Sequence, residues 1–109
     1  MEANPSVDLL FERVAEEATE IAHRALKALR FGLKSEYEGL NNLEHIAVEV
    51  AHLNAVLSVV GVVLPNEYSN DMEFDDSGMW LKVGAVDVAE VAHFRASELM
   101  NELESRCQS

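Results

Sequence analysis

The stretch NLEHIAVEVAHLNAVLSVV, residues 42–60, decides how the rest of the chain is read. Leu43, Ile46, Val50, Leu53, Leu57 and Val60 recur at three- and four-residue steps, the period of one helix face. Asn41 or Asn42 supplies an N-cap, and Gly61 and Pro65 lie beyond the far end. Val48, Val56 and Val59 fall outside the stripe, so this helix is apolar over most of its circumference. Such a helix is normally covered on more than one side. Three or four helices from a chain of 109 residues make a thin bundle. The expectation is that the chain pairs with copies of itself, as a homodimer or homotetramer, to cover that surface.

Working outward, Val7, Leu10, Phe11, Val14, Ala18, Ile21, Ala25 and Leu29 mark a second amphipathic helix over about residues 6–31. Pro5 with Ser6 or Asn4 opens it, and Gly32 closes it. A polar loop joins the two helices. Beyond the second, residues 61–78 read as a long loop carrying Asp71, Glu73, Asp75 and Asp76. A short helix at 79–83 and a last helix at 86–104 follow, the latter burying Val88, Val91, Ala92, Leu99 and Leu103. Strand signals are almost absent. The expected architecture is all-α, one helical domain over residues 1–109.

Composition narrows the function classes. Hydrophobic residues make up 49%, enough for a core, and twenty acidic residues against eight basic ones give a net charge of −12. Nucleic acid and anionic membrane partners both require a basic footprint, so neither is expected. The single cysteine, Cys107, cannot close a disulfide within the chain, which suits a reducing compartment. Acidic residues interrupt the first twenty positions, so no signal peptide is read there. The longest apolar run, residues 55–64, falls short of the roughly 18 residues of a membrane span. A soluble cytoplasmic protein is the expectation.

Helical wheels gather the acids. Glu17 and Glu20 share one flank of the first helix with Arg24 and Lys27, while Glu16 points further out. Glu49 and His52 take the matching flank of the second, with His45 between them. Side by side, the two helices could converge Glu17, Glu20, Glu49 and His52 on one cation. Carboxylate oxygens suit Mg²⁺ or Mn²⁺, and such an ion polarises a phosphoryl group and acidifies bound water.

Glu16-Glu17-x-x-Glu20, followed by Lys27-Ala28-Leu29-Arg30-Phe31-Gly32, the pair Asn41-Asn42 and then Glu49, resembles the MazG-like all-α nucleoside triphosphate pyrophosphohydrolases, in their short phage and bacterial forms. The likeness spans about residues 14–60. It implies a dimerising helical bundle that holds Mg²⁺ on carboxylates of both motif helices. It also implies cleavage of a (d)NTP between its α and β phosphates, giving nucleoside monophosphate and pyrophosphate. On this likeness Glu17, Glu20 and Glu49 serve the metal, Glu16 acts as base or supports it, and Lys27 and Arg30 contact the triphosphate. His52 stands where the family pattern has aspartate, which shifts the preference toward Mn²⁺. The last helix holds only Arg95 and Arg106 as basic residues. These departures keep open a catalytically degenerate relative that binds nucleotide or another protein.

A further pattern points to other chemistry. Glu20–His23, Glu49–His52 and Glu90–His93 repeat Glu-x-x-His, the ligand spacing of di-iron carboxylate bundles, so a small Glu/His di-metal oxidising bundle is a second alternative. Asp71-x-Glu73-x-Asp75 opens like a calcium loop, but Asp76 and Lys82 occupy the positions that need glycine and glutamate. Asp75 or Asp76 is read instead as a cap for the following helix. Tyr68 and Trp80 flank this acidic segment as packing residues or as a stacking lid.

Overall fold

The computed structural model describes residues 5–107. Three long helices carry most of them: α1 (Pro5–Phe31), α2 (Asn42–Val63) and α4 (Val88–Cys107). Between them lie β1 (Glu36–Tyr37), β2 (Leu40–Asn41), the single turn α3 (Asn66–Ser69), β3 (Met72–Phe74), β4 (Trp80–Val83) and β5 (Val86–Asp87). The predominance of helix agrees with the sequence reading. The two small antiparallel sheets, β1-β2 and β3-β4-β5, correct the expectation of a purely α chain. The chain divides into two compact units, Met1–Pro65 and Asn66–Ser109.

In the first unit, α1 ends where Gly32 takes φ 92° and donates its N–H to the Ala28 carbonyl at 2.8 Å. That left-handed conformation is open to glycine without a Cβ penalty, which is why the helix stops here. Asn4, the other candidate for its start, lies outside the described residues. The connection that follows is a hairpin rather than a plain polar loop. Glu36 pairs with Asn41 and Tyr37 with Leu40, around a two-residue turn in which Glu38 and Gly39 both have positive φ, 52° and 85°. Two positive-φ residues give the turn whose twist matches a right-handed pair of strands.

Asn41 then caps α2: its side chain accepts from Glu44 N at 2.8 Å, and Glu44 Oε1 accepts from Asn41 N at 3.1 Å. This reciprocal pair satisfies two orphan donors and resolves the choice between Asn41 and Asn42. Asn42 has a different task. It is buried, and its Nδ2 donates to the Gly32 carbonyl at 2.8 Å, tying the start of α2 to the end of α1. Residue 32 meets residue 42 while residue 17 meets residue 52, so α1 and α2 run antiparallel against each other.

Burial within each described unit is shallow. Val60 and Met72 are the buried hydrophobic residues. On α1, Val7, Leu10, Val14, Ile21 and Ala25 are half-buried as the stripe predicts, but Phe11, Ala18 and Leu29 are exposed. On α2, Leu43, Val48, Val50, Val59 and Val62 remain exposed. By length and composition alone, α2 is apolar enough to cross a membrane, although Glu44, Glu49 and His52 interrupt its apolar residues.

The second unit departs most from the sequence reading. Helix α2 runs on to Val63, and α3 and β3 occupy much of the segment read as a loop over 61–78. Residues 79–83, expected as a short helix, form β4 instead. Trp80 and Val83 are the aromatic and β-branched types that suit a strand. Met72 pairs with Val83, Glu73 with Lys82 and Phe74 with Trp80, and Lys82 and Val83 pair in turn with Asp87 and Val86. Asp75 caps no helix. Its carboxylate closes the β3–β4 turn by accepting from the backbone N–H groups of Ser77 and Met79, at 2.8 and 2.9 Å. Asp87 caps α4, accepting from Glu90 N at 3.0 Å. Helix α4 packs on β4 and β5, yet only Val88 of its expected core residues is half-buried. Val91, Ala92, Leu99 and Leu103 are exposed, so the second unit by itself does not bury that face.

Candidate metal centre

The α1–α2 pair positions the acids. Glu17 projects from the middle of α1, and Glu49 and His52 lie one turn apart on α2, so antiparallel packing brings the three to one level. One ligand atom from each of Glu17, Glu49 and His52 lies within 4.8 Å of the others. His52 Nδ1 stands 3.5 Å from Glu17 Oε2 and 3.6 Å from Glu49 Oε2. The two carboxylate side chains are only 20% and 13% exposed, whereas the imidazole is 56% exposed and forms the open side. Glu17 Oε2 is buried without a hydrogen bond.

Two half-buried carboxylates held this close repel one another, and an acceptor shut off from water without a donor is costly. A cation offsets both terms. The donor set of two carboxylate oxygens and one imidazole nitrogen fits a divalent ion of the Mg²⁺, Mn²⁺ or Zn²⁺ type, and the ligand atoms alone do not select among them.

Glu16, Glu17, Thr19, Glu20 and Glu49 line a cleft of about 410 Å³. Glu20 therefore borders the same space but stands outside the close group of three. Glu16 is exposed and paired with Arg13, whose Nη1 donates to its Oε2 at 2.7 Å. That hydrogen bond, with the carboxylate charge behind it, raises the Arg13 pKa above its ordinary value. His45 does not join the group. It is buried, and its Nε2 lies 2.7 Å from the Tyr37 carbonyl, so it holds the hairpin.

The basic residues are arranged differently from the sequence reading. Lys27 Nζ sits 5.0 Å from the centroid of the Tyr37 ring, and Arg24 Cζ lies 5.8 Å from the same centroid. Arg30 turns instead to its neighbour Phe31, at 5.2 Å, on the exposed side of the helix end. Tyr37 carried no role in the sequence reading. Its signal was the aromatic residue shortly before Gly39, a glycine that suits the positive-φ position of a turn. Of the three Glu-x-x-His pairs, the described residues bring only Glu49–His52 into a group of possible ligands; His23 and His93 are exposed and belong to none.

Comparison of the chain with family models, with curated proteins and with solved structures returns no match.

Proposed function

We propose that the chain is a metal-dependent (d)NTP pyrophosphohydrolase that works as a soluble cytoplasmic homo-oligomer in a bacterium or a phage-infected cell. The observation that carries this reading is the convergence of Glu17, Glu49 and His52 from two antiparallel helices beside an open acidic cleft. In it, Glu17, Glu49 and His52 hold a divalent cation, Mg²⁺ or Mn²⁺, with Glu20 close by. The bound ion supplies neutralisation of phosphate charge and a water of lowered pKa. Glu16 and Glu20 border the space a water would occupy, and either can accept its proton. Lys27 offsets triphosphate charge that this acidic chain would otherwise repel. Water adds at the α phosphorus, the bond to the β-phosphate bridge breaks, and the products are monophosphate and pyrophosphate.

The homo-oligomer reading rests on the apolar side chains exposed on α2, among them Leu43, Val50, Val59 and Val62, which a partner copy would cover.

One observation favours a second reading, a binding module of the same fold without turnover. His52 Nδ1 already stands 3.5 Å from Glu17 Oε2 and 3.6 Å from Glu49 Oε2, so the imidazole itself partners both carboxylates with no metal.

Product analysis over the eight common NTPs and dNTPs, with Mg²⁺ and with Mn²⁺, separates the two. Monophosphate and pyrophosphate are expected from the wild type and none from Glu49→Ala, with His52→Asp preserving or raising the Mg²⁺-dependent rate. A folded wild-type protein that releases no monophosphate with either ion rules out the hydrolase and leaves the binding module.

A further inference from the structure

Arg24 is the unresolved group of the first unit. Its Nε and Nη1 are buried and have no hydrogen-bond partner, and no carboxylate among the described residues lies within ion-pair distance of it. In a chain with twenty acidic residues and eight basic ones, a covered guanidinium without an acid is unexpected. Leaving donors of a charged group unsatisfied is costly, and a cation–π contact recovers only part of that cost. The partial recovery comes from Tyr37. Arg24 and Lys27 both approach this ring, at 5.8 and 5.0 Å from its centroid, so two like charges gather at one half-exposed aromatic residue. The Tyr37 carbonyl is held by His45, which fixes the backbone of the hairpin beside the pair.

Position along α1 gives the pair its meaning. Arg24 lies seven residues after Glu17 and Lys27 seven after Glu20. Each step is two turns, about 10 Å along the axis and about 20° around it. One stripe of α1 therefore presents carboxylates first and cations second, with the three-ligand group at its acidic end. An extended polyphosphate with one end at that group has its other end directed at the cations.

We propose that Arg24 and Lys27, gathered over Tyr37, form an anion subsite that takes the pyrophosphate end of the substrate, the anion replacing the ring as partner of both cations. The identity of the anion rests on the pyrophosphohydrolase reading; the existence of a subsite rests on Arg24. A guanidinium can bind phosphate oxygens through two parallel N–H donors, while Lys27 adds a point charge. Arg24 is then a substrate-binding residue, and Arg30 has no part in the subsite.

Titration calorimetry with inorganic pyrophosphate in the presence of Mn²⁺ tests this without requiring turnover. Wild type should bind pyrophosphate, and Arg24→Gln and Lys27→Gln should each weaken it by at least about tenfold. Arg24→Lys should recover part of the loss. Affinity for Mn²⁺ alone should stay within about twofold in all three variants, because the ion reads Glu17, Glu49 and His52. If Arg24→Gln loses helical dichroism, Lys27→Gln and Arg24→Lys decide on the same terms. Wild type that does not bind pyrophosphate, or charge-removing variants that bind it as wild type does, overturns the subsite. Pyrophosphate binding without NTP turnover overturns the hydrolase and keeps the subsite. Turnover with an unchanged KM and unchanged pyrophosphate affinity in both charge-removing variants does the reverse.

Discussion

Asp75 shows how much one carboxylate can organise. It accepts from two backbone N–H groups and the Ser77 hydroxyl, and the first of these causes, the Ser77 hydroxyl, together with the Met79 N–H, lowers its pKa below the ordinary aspartate value. A depressed folded-state value means that the contribution to stability is complete above the unfolded pKa. It is lost as pH falls through the folded value. The β3–β4 turn should therefore keep its amide protection at neutral pH and lose it in acid, below the usual carboxylate range. Asp75→Asn should show weakened protection of the Ser77 and Met79 amides at all pH values, read by hydrogen exchange. Equal protection in the variant and in the wild type across that range would contradict this. At the same scale, the sequence placed Glu17, Glu49 and His52 on facing flanks but could not separate Glu20 from them, nor His45 from the site. Those distinctions depend on side-chain rotamers and on which groups lose water, and neither is encoded in helical spacing.

Among the elements, the long helices were legible because their apolar period extends over many turns. The centres of α1, α2 and α4 agree with the sequence reading, and their ends differ by a few residues. The strands were not legible: with two to four residues each, none is long enough to display alternation. Their turns did carry a signal, in Gly39. Glycine suits the second of two positive-φ positions, while glutamate at the first is strained by about 1 kcal/mol. Glu38→Asn should stabilise the chain by roughly 0.5–1 kcal/mol, and Gly39→Ala should destabilise it by roughly 1 kcal/mol, measured by urea unfolding. No atom lies within 4 Å of a Cβ placed at Gly39, so the expected loss is conformational rather than a clash. Asp87-x-x-Glu90 was likewise readable as the start of α4, since it has the spacing of a capping box.

For the molecule as a whole, exposed apolar surface is the dominant quantity. Val60 and Met72 are the buried hydrophobic residues among those described, and the proposed homo-oligomer would add the burial that offsets conformational entropy. Wild type should sediment as a dimer or larger, with a melting temperature that rises with protein concentration. Val59→Lys, at an exposed valine of α2, should shift it toward monomer and remove that concentration dependence. A wild type that is monomeric and equally stable on dilution would contradict the homo-oligomer. One that sediments only with lipid would assign α2 to a bilayer.

The sequence by itself determined the three long helices and the flanks on which the acids and bases lie. Both follow from a local period that needs no knowledge of distant residues. Only the tertiary structure decided which of those groups meet. Glu17 reaches Glu49 and His52, Arg24 is left with covered and unpaired nitrogens over Tyr37, and residues 79–83 extend as a strand because β3 and β5 are there to pair with them. Proximity between residues far apart in the chain, and the loss of water that accompanies it, are properties of packing, and no period in the sequence records them.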